Sequence, residues 1–331
     1  MSNRRAMGLL VLAVAGVSSA AVLTTWLLEG DPDPRRALSL ALWRCGGGAA
    51  VLGLVALRSP RVRLDGRQLR RLGVSGMLLG LHFALFLGAL AFTSVASATT
   101  LATLSPVIVA LGSIWWLHEV PTRRTVVGMT ITLVAALAVG ATDLLSITGV
   151  QAVIGDLMAF TASVLIAGSL VIGRAERAAI PAVQYSFVVF GFAAVTLAVV
   201  VAVTGSPWMP WQGTEWFAVI GMIVGPQLVG HFLIQTLLSD LPAVVVSTAV
   251  LTEPIFASVL AWMFLGQLPP AGLYITGPLV LLGVAIAITG ARGPGPPPRD
   301  GDPTAGPAAT PDGGALDPLL VHEETEVPPI G

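Results

Sequence analysis

Lysine is absent from this chain; all 17 basic residues are arginine. A nucleotide-binding phosphate loop needs a lysine to reach the phosphates, so the sequence speaks against ATP-driven work by this chain alone. Cysteine is nearly absent too. Cys45 stands alone, which rules out an internal disulfide and leaves no cysteine cluster for a metal. It reads as a small apolar packing residue. Charge is the third shortage: charged residues make up 11% of the chain, where soluble domains carry about 25%. With 55% hydrophobic residues and a mean hydropathy of +0.85, an ordinary soluble domain is excluded. The net charge of −1 says nothing about nucleic acid; where the charges lie is what matters. There is no H-E-x-x-H zinc motif. No metal, cofactor or nucleic-acid partner is expected.

What is present is apolar sequence in long pieces. Ten segments can be drawn at roughly 7–28, 37–57, 72–92, 95–117, 124–142, 152–173, 183–204, 216–238, 242–265 and 271–291. Most are long enough to cross a bilayer core of about 30 Å as helices. Arg4 and Arg5 before the first segment imitate a secretory signal, but the apolar run continues to Leu28, too far for a signal peptide. It is read as a retained first helix. Short links such as Thr93-Ser94 and Ser239-Asp240 make consecutive segments antiparallel.

The arginines orient the set. With a cytoplasmic N-terminus, inside segments hold 14 of them, six between Arg58 and Arg71 alone, and outside segments hold only Arg35 and Arg36. Arg44 lies within a span. Both termini are therefore expected on the cytoplasmic side.

One stretch, Leu241 to Leu265, organises the rest. Glu253 and Pro254 sit at its middle. A carboxylate at mid-membrane costs about 2.5–3.5 kcal/mol by insertion scales, so it normally faces a protein interior or a watery cavity. The adjacent proline removes one backbone N–H and frees the carbonyl of Val250. The first half of the chain carries an echo of this stretch. Leu104-Ser105-Pro106-Val107-Ile108 precedes Thr252-Glu253-Pro254-Ile255-Phe256 by 148 positions, and the same shift pairs Pro121 with Pro269. With a slip of one residue, Leu81-His82-Phe83 pairs with Gly230-His231-Phe232. The chain is thus a diverged duplication. Five spans per half is an odd number, so the halves insert with opposite orientations. Secondary transporters built from inverted repeats bind substrate between the halves near the midplane.

Four ionisable groups lie deep within spans: Arg44, His82, His231 and Glu253. Each has two readings or more. His82 and His231 either line a path or tie one helix to the backbone of another. Arg44 either anchors a substrate carboxylate or snorkels outward. Glu253 could exchange a proton, cap a carbonyl freed by Pro254, or attract a cationic substrate group. Pro106 and Pro254 mark the helix breaks. Gly46-Gly47-Gly48, Gly76-x-x-x-Gly80 and Gly221-x-x-x-Gly225 suit close helix packing. Trp115, Trp116, Trp208, Trp211 and Trp216 read as an interfacial belt, and Asp156 as interfacial. An enzyme has one weak motif to offer, Gly73-Val74-Ser75-Gly76, which imitates an intramembrane serine protease. Its serine falls at the cytoplasmic edge of its helix, so the chain is read as no enzyme.

At this level of detail the sequence resembles the EamA-type transporters of the drug/metabolite transporter superfamily. The run from Gly80 to Ala98, Leu104-Ser105-Pro106 and Trp116-Leu117-His118-Glu119-Val120-Pro121 resemble a first repeat. Gly155-Asp156-Leu157, Leu251-Thr252-Glu253-Pro254-Ile255-Phe256-Ala257 and Gly266-Gln267-Leu268-Pro269-Pro270 resemble a second. The resemblance implies ten helices that move small organic solutes in a bacterial inner membrane. It carries the E-P motif to Glu253 and Pro254, and the arginine early in the second helix to Arg44. Three departures stand out. Val14-Ala15-Gly16 lacks the tryptophan of the usual first-helix pair, Ile166-Ala167 replaces tryptophan-alanine, and Gln267 replaces an acid that the first repeat keeps as Glu119.

The expectation is an all-α integral membrane protein of ten transmembrane helices in two inverted five-helix repeats. The first covers 7–142 and the second 152–291, joined by a 143–151 linker. Residues 292–331, with seven acids against two arginines and many prolines and glycines, read as a disordered acidic cytoplasmic tail. The function expected is secondary transport by alternating access, of amino acids or related metabolites, with membrane lipid as surroundings and proton or exchange coupling open. Phosphorylated sugars rank low, since Arg44 is the one basic group deep in a span. A non-transporting receptor or assembly factor working through the tail is the alternative.

Overall fold

The structure is a computed structural model that describes residues 3–28, 33–89, 92–93, 95–146, 149–269 and 272–290; the expected tail lies outside them. All regular structure among these residues is helical. The order is α1 (Asn3–Leu28), α2 (Pro34–Ala56), α3 (Gly66–Ala89), α4 (Val95–Ala102), α5 (Ser105–Gly112), α6 (Arg123–Ser146), α7 (Val150–Arg177) and α8 (Ala182–Thr204). There follow α9 (Glu215–Met222), α10 (Leu233–Leu237), α11 (Ala243–Val250), α12 (Glu253–Leu265) and α13 (Leu273–Thr289). A wide π-helical turn, Ser113–Leu117, extends α5, and a longer one, Ile223–Phe232, joins α9 to α10. Eight helical stretches are long and apolar enough to cross a membrane, and Leu273–Thr289 is apolar but shorter.

The ends follow from local chemistry. The Asp33 side chain caps α2 by accepting the Arg35 N–H at 2.9 Å, and Pro34 fills the first turn, where no N–H is needed. The Arg35 hydrogen bonds hold the half-buried Asp33 carboxyl below its usual range. Pro181 and Pro242, in extended conformation, start α8 and α11. Gly205 and Gly266 close α8 and α12 in the left-handed region.

Two interruptions sit at repeat-related places. Thr103-Leu104 separates α4 from α5, and Leu251-Thr252 separates α11 from α12. Pro106 and Pro254 are the second residues of the helices that restart. Leu104 and Thr252 keep right-handed angles, so the chain kinks there without unwinding. Residues 103, 104, 251 and 252 each donate a backbone N–H three residues back, at 3.0–3.2 Å, which tightens the last turn before each break.

Packing then places the site. α3 lies against α7 and α8, α2 against α8, α6 against α13, and α1 against α12 and the long π turn. α1 and the π turn touch backbone to backbone: a β-carbon on Gly16 would stand 2.7 Å from the Gly230 nitrogen. Gly76 and Gly80 do the same for α3 on α8, at 2.4 Å from the Val189 carbonyl and 2.8 Å from that of Ala193. α11 is buried at all but its last residue, whereas α12 has no buried residue.

Candidate functional site

Arg44 is the centre of the deep cluster. It is buried in α2, so the snorkelling reading fails: the side chain turns inward. Its Nε donates to Gln227 Oε1 at 3.0 Å, and its guanidinium lies over the Phe83 ring at 4.3 Å, a cation–π contact. The glycine triplet makes this approach possible. A β-carbon on Gly47 would fall 2.3 Å from Ile223 Cδ1, and one on Gly48 would fall 2.6 Å from Gln227 Cγ. Gly47 and Gly48 are thus the bed on which the π turn rests against α2.

The other ionisable groups gather around Arg44. Phe83 meets the His231 ring edge-on at 5.3 Å, and the His82 ring stands 5.2 Å from Phe83 and 6.2 Å from Phe86. His82 Nδ1 donates to the Ala162 carbonyl of α7 at 2.8 Å, the helix-to-backbone tie that was one of its two readings. Arg44 is within electrostatic reach of His82, His231 and Glu253. Glu253 opens α12, half-buried, and its backbone carbonyl accepts from Ser18 of α1 at 3.2 Å. Its carboxylate has no hydrogen-bond partner among the described residues. Pro254 beside it is exposed, while Pro106, at the matching place in α5, is buried. Arg44, His82 and His231 therefore surround the Phe83 ring from α2, α3 and the π turn, and Glu253 on α12 lies within electrostatic reach of Arg44.

Ion pairs tie the bundle above and below this cluster. At the arginine-rich end, Arg174 of α7 grips Glu119 side-on, with Nε at 3.0 Å and Nη2 at 2.9 Å from Oε1. Its Nη1 donates to the carbonyls of Leu238 at 2.9 Å and Ser239 at 3.2 Å. Arg71 meets Glu176 at 2.7 Å, and Arg177 donates to the carbonyls of Gln235 and Ile180. One helical end thus holds α3, the chain after α5, and the chain after α10. At the other end Arg36 pairs with Glu215, and Trp43 Nε1 donates to the Trp208 carbonyl at 2.8 Å. Asp156 accepts from Thr93 at 2.7 Å and Ser97 at 2.6 Å, so it binds the start of α4 to α7.

One rejected reading loses its last support and one reading is corrected. Ser75 of the protease-like motif bonds to Ser169 at 2.9 Å and Tyr185 at 3.1 Å; these hydroxyls cannot serve as the general base that a serine nucleophile needs. Trp211 is buried with Arg36 over its ring at 5.5 Å, so it is a packing residue and no belt member. Sequence reasoning missed Gln227, Phe83 and Arg174 as partners. Gln227 left a trace, an amide next to Pro226 in an apolar span. Arg174 left none, because it looked like an ordinary inside arginine.

A bundle of apolar helices with broken elements, and with buried charges gathered between them, is that of a multi-pass membrane transporter. The model of the EamA-like transporter family matches twice, over residues 4–141 and 153–289, and the chain belongs to that family. A solved crystal structure superposes with a TM-score of 0.69 at 22% identity, covering 88% of this chain and 99% of that one; at that identity it speaks for the fold alone. No curated protein matches the sequence.

Proposed function

We propose that this protein is a secondary transporter of small organic solutes that carry opposite charges, amino acids or related metabolites. It works by alternating access of two inverted five-helix halves, with both termini on the cytoplasmic side of a bacterial inner membrane. The carrying observation is that Arg44 and Glu253, on helices from different repeats, lie within electrostatic reach of each other, with Glu253 next to the kink at Leu251-Thr252. A buried cation with an unspent Nη2 suits a carboxylate, and a carboxylate without a hydrogen-bond partner among the described residues suits an ammonium or a proton. The ion pairs at the two ends join first-repeat to second-repeat residues, Glu119 to Arg174 and Arg36 to Glu215. Under alternating access such contacts break in turn. Glu253 is the residue through which a proton would couple.

Counterflow tests this. Proteoliposomes loaded with the twenty unlabelled L-amino acids should accumulate at least one labelled amino acid from outside, and Arg44→Ala should reduce that signal more than tenfold. Wild-type protein that exchanges none of them would sink the substrate reading.

A further inference from the structure

The donors around Arg44 are unevenly spent. Nε is used on Gln227 Oε1 and the π face of Phe83 covers the guanidinium, yet Nη2 is buried without a partner. Gln227 is wholly buried, and its Nε2 also lacks a partner. Nε and Nη2 share one edge of a guanidinium, and the amide that accepts from Nε carries its unpartnered NH₂ on the same carbon. Two unpartnered N–H donors, one on α2 and one on the π turn, are therefore linked through a single hydrogen bond. Gly48 fixes the stem of Gln227, since even a β-carbon there would come within 2.6 Å of Cγ. Buried donors left unmade cost about 1–3 kcal/mol each, so a site with two of them favours a ligand able to meet both.

We infer that Gln227 is a specificity-determining residue: with Arg44 it selects solutes bearing a carboxylate over the same solutes as amides. A carboxylate offers two acceptor oxygens and no donor, so it satisfies Nη2 and Nε2 at once. A primary amide offers one oxygen and turns its own NH₂ toward the second donor, which leaves that donor unpaired. A site built on hydrogen bonds rejects such an analogue far more strongly than an apolar pocket rejects a methylene. Gln227 thus does two things, orienting Arg44 through Oε1 and reading the solute through Nε2. Asparagine would be too short to do both, and glutamate would keep the first and destroy the second.

This inference rests on the transporter reading and deepens its substrate class. It is tested by thermal shift of the purified full-length protein against the twenty L-amino acids and their C-terminal amides. Wild type should be stabilised by at least one acid, with its amide at least tenfold weaker. Gln227→Glu places two acceptors where the donor stood; it should weaken the acid about tenfold to hundredfold while sparing the amide. Gln227→Met keeps the volume and should lower the acid-to-amide ratio toward one. The unliganded melting curves report folding of each variant in the same assay. Wild-type discrimination by both variants would remove Gln227 and leave the transporter reading standing. Wild-type protein that binds an amide as tightly as its acid, or binds no acid, overturns the carboxylate selection itself. Absent counterflow removes the amino-acid substrate reading, independently of these ratios.

Discussion

The stretches 104–119 and 252–267 share their kink and their hairpin turn and differ in chemistry. In both, a proline restarts a helix after a short turn. In both, the helix ends on a left-handed residue, His118 at φ 54° and Gly266 at φ 67°. The following N–H then reaches six residues back, from Glu119 to the Ser113 carbonyl at 3.0 Å and from Gln267 to that of Ala261 at 3.3 Å. Three of the differing positions stand out. Ser105 stands where the second repeat has Glu253, His118 where it has Gly266, and Glu119 where it has Gln267. The duplication preserved geometry that the backbone demands. The differences are where each half became specialised, with an acid at the kink in one and an acid at the hairpin in the other.

Making the halves alike at the kink should have the largest effect. Glu253→Ser copies Ser105 into the second repeat and leaves the turn and Pro254 in place. Uptake driven by a pH gradient should fall at least tenfold, while substrate-for-substrate counterflow persists. Glu253→Gln should behave the same way, because it keeps the shape and removes only the ionisable group. Unchanged gradient-driven uptake in both would show that the acid at the kink has no part in coupling.

The hairpin acid comes next in size. Glu119→Gln copies Gln267 into the first repeat. Arg174 then loses a side-on carboxylate but keeps the carbonyls of Leu238 and Ser239, so the arginine-rich end should loosen without unfolding. In a Cys45→Ser background, a reporter cysteine at Gln235, buried beside Arg177, should react with a membrane-impermeant thiol reagent several-fold faster from that side. Hydrogen bonds to charged groups contribute about 1.5–3 kcal/mol, which sets the size of the shift. Labelling of the same reporter cysteine at the rate seen with Glu119 intact would reduce the pair to packing.

Much of this is legible in the sequence. Hydropathy gave the helical stretches, and the 148-residue shift gave the two kinks, because proline and deep acids leave marks that no packing detail can hide. Repeat position and depth singled out Arg44, His82, His231 and Glu253, but left open whether each lines a path or serves packing. What stayed hidden depends on rotation about a helix axis. Nothing in the sequence shows that Arg44 turns inward, that Gln227 receives its Nε, or that Arg174 faces Glu119 and two free carbonyls. The wide turn at Ile223–Phe232 was equally invisible. Its repeat counterpart α3 carries the matching histidine on an unbroken α-helix, and Pro226 alone signals a departure without specifying its kind. The triplet Gly46-Gly47-Gly48 read as a packing surface, but not as the bed for one particular turn.

The smallest effect belongs to the left-handed pair. A side chain with a β-carbon is disfavoured in this region by roughly 1–2 kcal/mol, and His118 adopts it where the second repeat has glycine. His118→Gly would remove that strain, but glycine has more backbone freedom to lose on folding, worth about 0.5–1 kcal/mol. The two terms oppose, and the net gain should be about 0.5 kcal/mol, seen as a small rise in melting temperature with transport unchanged. The reverse copy, Gly266→His, introduces the strain and should lower it. Both variants leave the Glu119 and Gln267 side chains as they are. If His118→Gly instead destabilised the protein, the imidazole would have to make a contact in the membrane-bound protein that outweighs its backbone strain. The likeness between the two hairpins would then end at the backbone turn itself.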